Sequence, residues 1–254
     1  MDLIACEDTR VTQKLLNHFE IKTPTTAFHA HSQANKRSFL LDKLEQGEDI
    51  ALVSDAGTPI VSDPGSMLVQ DAIVRDISVV PIPGPSSVLA ALVSAALPAV
   101  SWTFLGFLPR NKKAQAETLM RLKQLDSTLV LFESPHRTES TLRHCSEILG
   151  PRKICVAREL TKKFETFYRG TFDEVIELLP NPVKGEVVIL IAPDEAGNDV
   201  LEASEEQMIT ATKELLASGS SSTDAAKAVS HLYGLKRKEA YNLVLKAKSE
   251  TSGT

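Results

Sequence analysis

The sequence has 254 residues, of which 43% are hydrophobic and 24% are charged, and its formal net charge is -5. This composition is typical of a globular protein, and its acidity excludes a general attraction to nucleic acid, so such a contact needs a local basic patch. Its three cysteines are too widely spaced for a disulfide framework or a metal site, and no apolar run reaches the roughly 20 residues of a membrane span. Because charged residues interrupt the first apolar stretch, we expect no signal peptide and a cytoplasmic location.

Short apolar runs alternate with amphipathic runs in the first part of the chain, which is typical of an α/β fold with largely parallel sheets. The nearly all-apolar run at residues 84–98 predicts a helix that packs closely on a sheet or on another subunit. The other predicted elements are strands at residues 3–6, 50–54 and 77–83 and helices near residues 11–19, 34–47 and 66–76.

A break is predicted at residues 104–115, where Gly, Pro, Arg and Lys cluster as they do in exposed linkers. A second alternating series follows, and then an acidic joint at residues 194–199 and a tail of two helices around a turn at Gly234. The second series consists of strands at residues 128–134, 153–161 and 185–193 and helices at residues 137–150 and 171–180.

These elements predict an α/β protein of two lobes with a small C-terminal helical module. The lobes cover residues 1–105 and 113–195, the linker covers 106–112, and the helix-turn-helix-like module covers 202–250. Ligands of open α/β sheets bind between lobes and in loops beyond the carboxyl ends of strands, so we expect the functional residues there.

Two loops after predicted strands are built from small residues and turn-forming residues. In ALVSDAGTPIVSDPG, residues 51–65, Gly57 permits a positive φ or the close approach of a ligand. In PIPGPSS, residues 81–87, Ser86 or Ser87 can cap the next helix, whose free amides suit an anionic or polar group of a ligand. Ordinary turns with capping side chains would explain both compositions equally well.

Two later loops carry titratable and cationic side chains. FESPHR, residues 132–137, brings Glu133, His136 and Arg137 close together, and ARELTKKFET, residues 157–166, is rich in charges. A solvated charged loop is the alternative for each. We expect both loops at the same side of one sheet, since each follows a strand of the same lobe.

Several familiar chemistries are excluded by the motifs that the sequence lacks. It contains no GxxxxGK[ST] phosphate loop, no GxGxxG dinucleotide fingerprint, no HExxH or CxxC metal motif and no GxSxG nucleophile elbow. We therefore expect no metal site.

In order and spacing, the motifs EDTR, VSDAGTPIVSDPG, PIPGPSS, GFLPR, FESPHR and ARELTKKFET resemble those of the ribosomal RNA small subunit methyltransferase I family of the tetrapyrrole methylase superfamily. The resemblance extends from Asp2 to Pro193, and the tail is similar to that family's C-terminal module. It implies two α/β lobes of the tetrapyrrole methylase type, usually in a homodimer. It also implies methyl transfer from S-adenosylmethionine to the 2′-hydroxyl of a cytidine in 16S rRNA of the small ribosomal subunit, near the decoding centre, with no membrane partner.

The same resemblance implies which residues contact the cofactor. Small residues would leave room for S-adenosylmethionine to lie against the backbone. The residues carried over are Ala56, Gly57, Thr58, Val61, Ser86, Ser87, Phe132, Glu133 and Leu160.

Methyl transfer from a sulfonium is an in-line displacement that requires positioning and is helped by a base or a nearby cation. The candidate bases are Glu133, Glu159 and His136, between which the sequence does not choose, and Lys162 is the candidate for stabilising a developing alkoxide. The candidate RNA contacts are Arg10, Arg110, Arg137, Arg158, Lys236, Arg237 and Lys238.

Members of this family carry a strand, a loop resembling P-x-P-I-G-N-L and a helix before DLIACEDTR, whereas Met1 stands directly before that motif here. We therefore expect the first lobe to lack that strand, leaving unpaired amides beside an apolar slot. Two alternative functions remain: a porphyrinoid or corrinoid carbon methylase of the same superfamily, and a truncated, non-catalytic ribosome-binding remnant.

Overall fold

The structure is a computed structural model that describes residues 1–29, 34–63, 65–194, 204–233 and 235–251. Within these ranges, eight strands form two separate sheets, and ten helices flank the sheets or follow them. None of the helices in these ranges is both long enough and apolar enough to cross a bilayer.

The first three strands form a small parallel sheet. Strand β1 (Leu3–Cys6) is buried along its whole length and lies between β2 (Thr25–Ala27) and β3 (Ile50–Val53). Both neighbours run parallel to β1, as strands connected through helices do. The helices of this part are α1 (Thr9–His18), α2 (Ala34–Glu45) and α3 (Ser66–Val74), so the elements predicted here at 3–6, 11–19, 34–47, 50–54 and 66–76 are confirmed.

The second sheet has five strands and helices on both faces. Its strand order is β4-β5-β8-β6-β7. Helices α5, α6 and α7 cover one face, and α4 covers the other. The strands are β4 (Trp102–Phe107), β5 (Thr128–Glu133), β6 (Lys153–Arg158), β7 (Thr166–Thr171) and β8 (Val187–Ile191), and the helices are α4 (Ser87–Ser94), α5 (Lys112–Leu122), α6 (Thr138–Leu149) and α7 (Phe172–Leu178).

The expectation of largely parallel sheets is wrong for this second sheet. Only β4 and β5 pair in parallel, whereas the pairs β5–β8, β8–β6 and β6–β7 are antiparallel. The connection from β6 to β7 covers only residues 159–165, which is too short for the crossover that a parallel pair requires. Strand β7 itself was not predicted from the sequence.

The strand predicted at residues 77–83 is also wrong. This segment forms no strand in the described structure, and its side chains Val79, Val80 and Ile82 are exposed. An apolar run becomes a strand only when a neighbouring strand accepts its hydrogen bonds, and no described strand pairs with this segment. The sequence pattern shows that residues 77–83 are apolar, but it does not show whether a neighbouring strand is present.

Helix α4 packs against the second sheet, although the sequence assigned it to the first lobe. Its side chains Val88 and Leu92 are buried against Val130 of β5 and Leu190 of β8. Strand β4 belongs to the same sheet, so the second structural unit begins before the linker expected at residues 106–112. That stretch instead contains the end of β4 and the turn in which a side chain caps α5.

Predicted helix ends are confirmed where a capping side chain begins a helix or a glycine ends one. Ser86 Oγ accepts a hydrogen bond from the Leu89 amide at 3.3 Å and caps α4. Thr171 caps α7 in a capping box with Glu174, and Gly150 ends α6. These signals are short-ranged, so the sequence alone is sufficient to find them.

In the described residues the tail forms three helices with their own apolar core, one more than the two that the sequence predicted. Ser204 begins the first of them in a capping box with Gln207. The apolar core joins Ile209, Val229 and Leu243, one from each helix. The predicted turn at Gly234 and most of the joint at 194–199 lie outside the described residues. The helices are α8 (Glu205–Ala217), α9 (Ser222–Tyr233) and α10 (Arg237–Thr251).

Leu92 and Val93 provide a test of how α4 packs. Leu92 is 5% exposed and faces the second sheet, whereas the adjacent Val93 is 80% exposed. We expect Leu92→Ala to lower the free energy of unfolding by about 2–5 kcal/mol through lost contacts and a cavity, and Val93→Ala to change it by less than about 0.5 kcal/mol. Urea denaturation measures both values, and equal effects would contradict this packing.

Candidate active site

The carboxyl ends of three strands lie along one edge of the second sheet. Val187 of β8 pairs with Glu133 of β5 on one side and with Arg158 of β6 on the other, and β8 is antiparallel to both. Strands β5 and β6 therefore run in the same direction and end at this edge, as β4 does beside β5. The predicted convergence of the FESPHR and ARELTKKFET loops is confirmed.

Two loops of small residues meet each other beside that edge. We name residues 54–63 loop A and residues 81–86 loop B. The Thr58 hydroxyl of loop A donates a hydrogen bond to the Pro85 carbonyl of loop B at 3.0 Å. Ile60 and Ser62 in loop A have φ angles of 77° and 67°, which side-chain-bearing residues rarely adopt and which cost about 1–3 kcal/mol each. Such strain is typical of backbone that is shaped for a ligand.

Loop A also reaches the second sheet directly. Gly106 of β4 has a φ of 62°, and a Cβ atom placed on it would lie 3.1 Å from the Ser62 hydroxyl. The backbone conformation therefore favours glycine, and a side chain at this position would press on loop A. Loop B leads into α4, so both loops border the face of the second sheet that α4 covers, which we call the α4 face.

Most of the predicted cofactor residues are on the α4 face or in its two loops. The side chains of Phe132 and Leu160 belong to the apolar cluster under α4. In the loops, Ala56, Gly57, Thr58 and Val61 are exposed, and Ser86 and Ser87 are half-buried. Together with the half-buried Phe132 ring, loops A and B form a surface of mostly small residues, which we call the loop surface.

Glu133 does not join this group, although the sequence suggested it both as a cofactor contact and as a base. Successive residues of a strand point to opposite faces, so Phe132 faces α4 while Glu133 faces α6. Its side chain is 1% exposed, and it accepts hydrogen bonds from the Thr141 hydroxyl and the Ser134 amide, both at 2.7 Å. A carboxylate that is buried and bonded in this way has no access to a substrate proton.

Arg137 connects Glu133 to the end of β4. Its guanidinium lies 3.3 Å from the Glu133 carboxylate and donates to the carbonyls of Leu108 and Pro109, each at 3.3 Å. This guanidinium is therefore occupied within the protein, contrary to its predicted role as a phosphate contact. It fixes the GFLPR segment against the FESPHR loop.

Glu159 and Lys162 form an ion pair in the loop after β6. Glu159 accepts from the Glu186 amide at 2.9 Å and from Lys162 Nζ at 3.1 Å, and these bonds lower the pKa of Glu159. Lys162 also lies 2.9 Å from the Glu186 carboxylate, and its hydrogen bonds to Glu186 and Glu159 raise its pKa. Glu159 is thus a weak base, and Lys162 stays positively charged.

The remaining candidates of the second unit differ in how free their side chains are. His136 and Arg110 are exposed. Arg158 is half-buried and donates to the Lys184 carbonyl at 3.1 Å, so its guanidinium also has a partner within the protein. Among the predicted candidates of this unit, His136 and Arg110 are therefore the ones most open to a substrate.

The EDTR motif, residues 7–10, lies next to loop A. The Asp8 amide donates to the Asp55 carboxylate of loop A at 3.2 Å, and Asp8 caps α1. Arg10 pairs with Asp8 at 2.6 Å while its side chain remains 87% exposed. Arg10 is therefore at the site, with a charge that a phosphate can approach.

In the tail, Lys236, Arg237 and Lys238 are exposed at the start of α10. Lys246 and Lys248, from the same basic segment, contact Glu205 and Ser222 of the neighbouring helices. No cluster of metal-ligating side chains occurs in the part of the chain that the structure describes.

Phe107 was missed by sequence reasoning. Its ring is 57% exposed and lies edge-on to Phe132, with the ring centroids 5.7 Å apart. The available signal was Gly106 inside an apolar run, since glycine within a strand often marks a bulge.

Comparisons with known proteins agree with this arrangement. The family model for tetrapyrrole (corrin/porphyrin) methylases matches residues 1–176. A protein of Halalkalibacterium halodurans named ribosomal RNA small subunit methyltransferase I is 40% identical over 248 residues, which cover 95% of this chain and 85% of that protein. The chain belongs to this family of methyltransferases. A Vibrio cholerae protein of the same name is 45% identical over 195 residues, covering 75% of this chain and 68% of that protein.

Solved structures support the fold of this methyltransferase. A diphthine synthase has a TM-score of 0.58 at 11% identity, covering 75% of this chain and 79% of that chain. A cobalt precorrin-4 methyltransferase of cobalamin biosynthesis has a TM-score of 0.54 at 19% identity, covering 75% of this chain and 83% of that chain. The predicted α/β fold of the tetrapyrrole methylase type is confirmed.

Replacing Glu133 distinguishes an internal role from a catalytic one. We expect Glu133→Ala to lower the free energy of unfolding of the methyltransferase by about 3–5 kcal/mol, because it leaves Arg137 and Thr141 without their partner. Glu139→Ala, which removes an exposed i,i+4 pair with Arg143, serves as the control and should cost about 0.3–0.5 kcal/mol. Native stability of the Glu133→Gln variant together with abolished methyl transfer would contradict the internal role.

The pairing of Asp8 with Arg10 predicts a specific titration. Hydrogen bonds from Arg10 lower the pKa of Asp8 from 3.8 to about 2. Because the folded-state pKa is depressed, the stabilisation by Asp8 is complete above its ordinary pKa and is lost as the pH falls through about 2. Carboxyl carbon NMR measures this midpoint, and Arg10→Ala should return it toward 3.8. If Arg10→Ala leaves the titration midpoint of Asp8 unchanged, Arg10 is not the cause of the lowered pKa.

Proposed function

We propose that this chain transfers a methyl group from S-adenosylmethionine to the 2′-hydroxyl of a cytidine in 16S rRNA, near the decoding centre. The observation that carries the proposal is the meeting of loops A and B at the loop surface, where Thr58 contacts Pro85 beside the α4 face. The choice of ribosomal RNA follows the curated relatives, which are named ribosomal RNA small subunit methyltransferase I.

The residues at the loop surface fit S-adenosylmethionine, which supplies an electrophilic methyl group when bound. Exposed small residues in loop A and half-buried serines in loop B suit the polar parts of such a molecule, and the adjacent Phe132 suits its apolar parts. A Cβ atom at Gly57 would lie 4.0 Å from the Pro85 carbonyl, so a side chain here would enter the space between the loops. The proposed cofactor contacts are Ala56, Gly57, Thr58, Val61, Ser86, Ser87, Phe132 and Leu160.

His136 is the best of the three candidate bases. Glu133 is buried and hydrogen-bonded, and hydrogen bonds from the Glu186 amide and from Lys162 lower the pKa of Glu159. His136 is exposed in the loop after β5, and imidazole is the side chain most often used to accept a proton in catalysis. Lys162, held in the loop after β6 at the same edge of the sheet, would stabilise negative charge on the ribose oxygen.

Exposed cations of both units would bind the RNA backbone. Arg10 lies beside loop A, and Arg110 follows β4. A guanidinium matches the geometry of phosphate oxygens, and ammonium groups add attraction that salt weakens. Lys236, Arg237 and Lys238 of the tail supply a second basic surface, in a protein whose net charge is otherwise negative.

The proposed reaction also bears on where the enzyme acts and on its oligomeric state. Its action on ribosomal subunits implies the cytoplasm. We also propose a homodimer, supported by Val79, Val80 and Ile82, whose apolar side chains are 46%, 70% and 79% exposed. Sedimentation velocity tests this state, and a monomer at all concentrations would contradict it.

Tritium transfer tests the proposed reaction. Labelled S-adenosylmethionine is incubated with the protein and with small ribosomal subunits that lack the modification, and subunits already modified are the control. We expect label in the 16S rRNA of unmodified subunits only, at the 2′ position of one cytidine. Label on a porphyrinoid or corrinoid substrate, or no transfer at all, would overturn the proposal.

If His136 is the base, its replacement should lower turnover without weakening the binding of S-adenosylmethionine. We expect His136→Gln to lower kcat by about 10²- to 10⁴-fold and to leave the Kd of S-adenosylmethionine within about twofold. Glu159→Gln is the matched comparison and should lower kcat less, because it removes one partner of Lys162 and not the base. If Glu159→Gln proves the more damaging of the two, Glu159 and not His136 is the base.

A further inference from the structure

A bulge in β4 turns Phe107 onto the α4 face. Phe104 pairs with Val130 and Phe107 pairs with Phe132, so three steps along β4 match only two steps along β5. In a regular strand, side chains three positions apart point to opposite faces. The extra residue, with Gly106 in a left-handed conformation, brings Phe104 and Phe107 to the same side.

The bulge turns the Phe107 ring toward the α4 face but leaves it exposed. Phe104 is half-buried and packs edge-on against Phe132 with the centroids 4.9 Å apart. The Phe107 ring lies edge-on to the same Phe132 ring, and Phe107 is 57% exposed. A bulge and a positive-φ glycine therefore hold an aromatic face open to solvent, next to the point where loop A approaches Gly106.

The segment after Phe107 is anchored, and its exposed side chains are cationic. Leu108 is 3% exposed, and Arg137 donates to its carbonyl at 3.3 Å. Arg110 and the first two residues of α5, Lys112 and Lys113, are all exposed. Lysines in the first turn of a helix do not stabilise the helix, so their presence points to a contact outside it.

We propose that Phe107 is a stacking platform for an unpaired base of the RNA substrate, with Arg110, Lys112 and Lys113 contacting the adjoining phosphates. Single-stranded nucleic acid is bound by this combination of an exposed aromatic face and nearby cations. The inference rests on the proposed function, which it deepens by naming how the substrate is held. Because the ring adjoins Phe132 and follows Gly106, which loop A approaches, the stacked nucleotide lies beside the loop surface.

Kinetics of methyl transfer to unmodified small subunits test the platform. We expect Phe107→Ala to raise the KM for subunits about 5- to 100-fold, with kcat and the Kd of S-adenosylmethionine within about twofold. Phe107→Tyr should stay within about threefold of wild type, whereas Phe107→Leu, which keeps apolar bulk without a π-face, should behave like Phe107→Ala. Phe19→Ala is the control, because Phe19 is 61% exposed at the end of α1.

Fluorescence tests the stacking directly. The chain has one tryptophan, Trp102, so Phe107→Trp in a Trp102→Phe background places a single reporter at the platform. A cytidine hexanucleotide should quench this reporter and should not quench Phe19→Trp in the same background. Binding of the oligonucleotide by fluorescence anisotropy without quenching would overturn the proposal, as would no binding at low salt.

These outcomes separate the platform from the proposed reaction. Absence of methyl transfer by the wild-type protein refutes the reaction, while quenching still reports whether Phe107 stacks on bases. Wild-type transfer with an unchanged KM in Phe107→Ala refutes the platform and leaves the reaction intact. A raised Kd for S-adenosylmethionine in Phe107→Ala would assign the ring to the cofactor and also refutes the platform.

Discussion

The packing of α4 against the second sheet is the interaction on which the candidate site depends. Val88 and Leu92 bury the apolar side of α4 on β5 and β8, which fixes the helix start at Ser86 and therefore loop B. Loop B in turn contacts loop A, which follows the last strand of the first sheet. A single short helix thus positions loops from both halves of the chain, and the loop surface depends on the packing of that helix on the second sheet.

Local features of the site could be predicted from the sequence. Alternating apolar and amphipathic runs gave most strands and helices, and Ser86, Thr171 and Gly150 were found because capping depends on neighbours within four residues. The small-residue loops were found for a similar reason, since glycine, proline and serine restrict the local backbone. Residues carried over by resemblance, such as Phe132 and Leu160, share the α4 face in the structure.

What the sequence could not supply depends on neighbours that are distant along the chain. Phe132 and Glu133 are adjacent, yet one faces α4 and the other is bonded to Thr141 of α6, and only the sheet decides which is which. The run at residues 77–83 is as apolar as a buried strand but has no described partner. The partners of charged side chains likewise depend on distant neighbours. Arg137 and Arg110 both follow strands in the sequence, but it is Arg137 that donates hydrogen bonds to the carbonyls of the GFLPR segment.

The Ser62 hydroxyl lies 3.1 Å from the position that a Cβ atom on Gly106 would occupy, so a movement of β4 toward loop A, or of loop A toward β4, meets the other element. Phe107 is attached to one of them and the loop residues to the other, so a ligand that presses either element toward the other changes the energy of both. Thermodynamic linkage then requires reciprocity: if one ligand of this region tightens the binding of a second, the second tightens the first by the same factor. Communication between two ligands in this enzyme therefore needs no hinge between lobes, only the close approach of loop A to one glycine of β4.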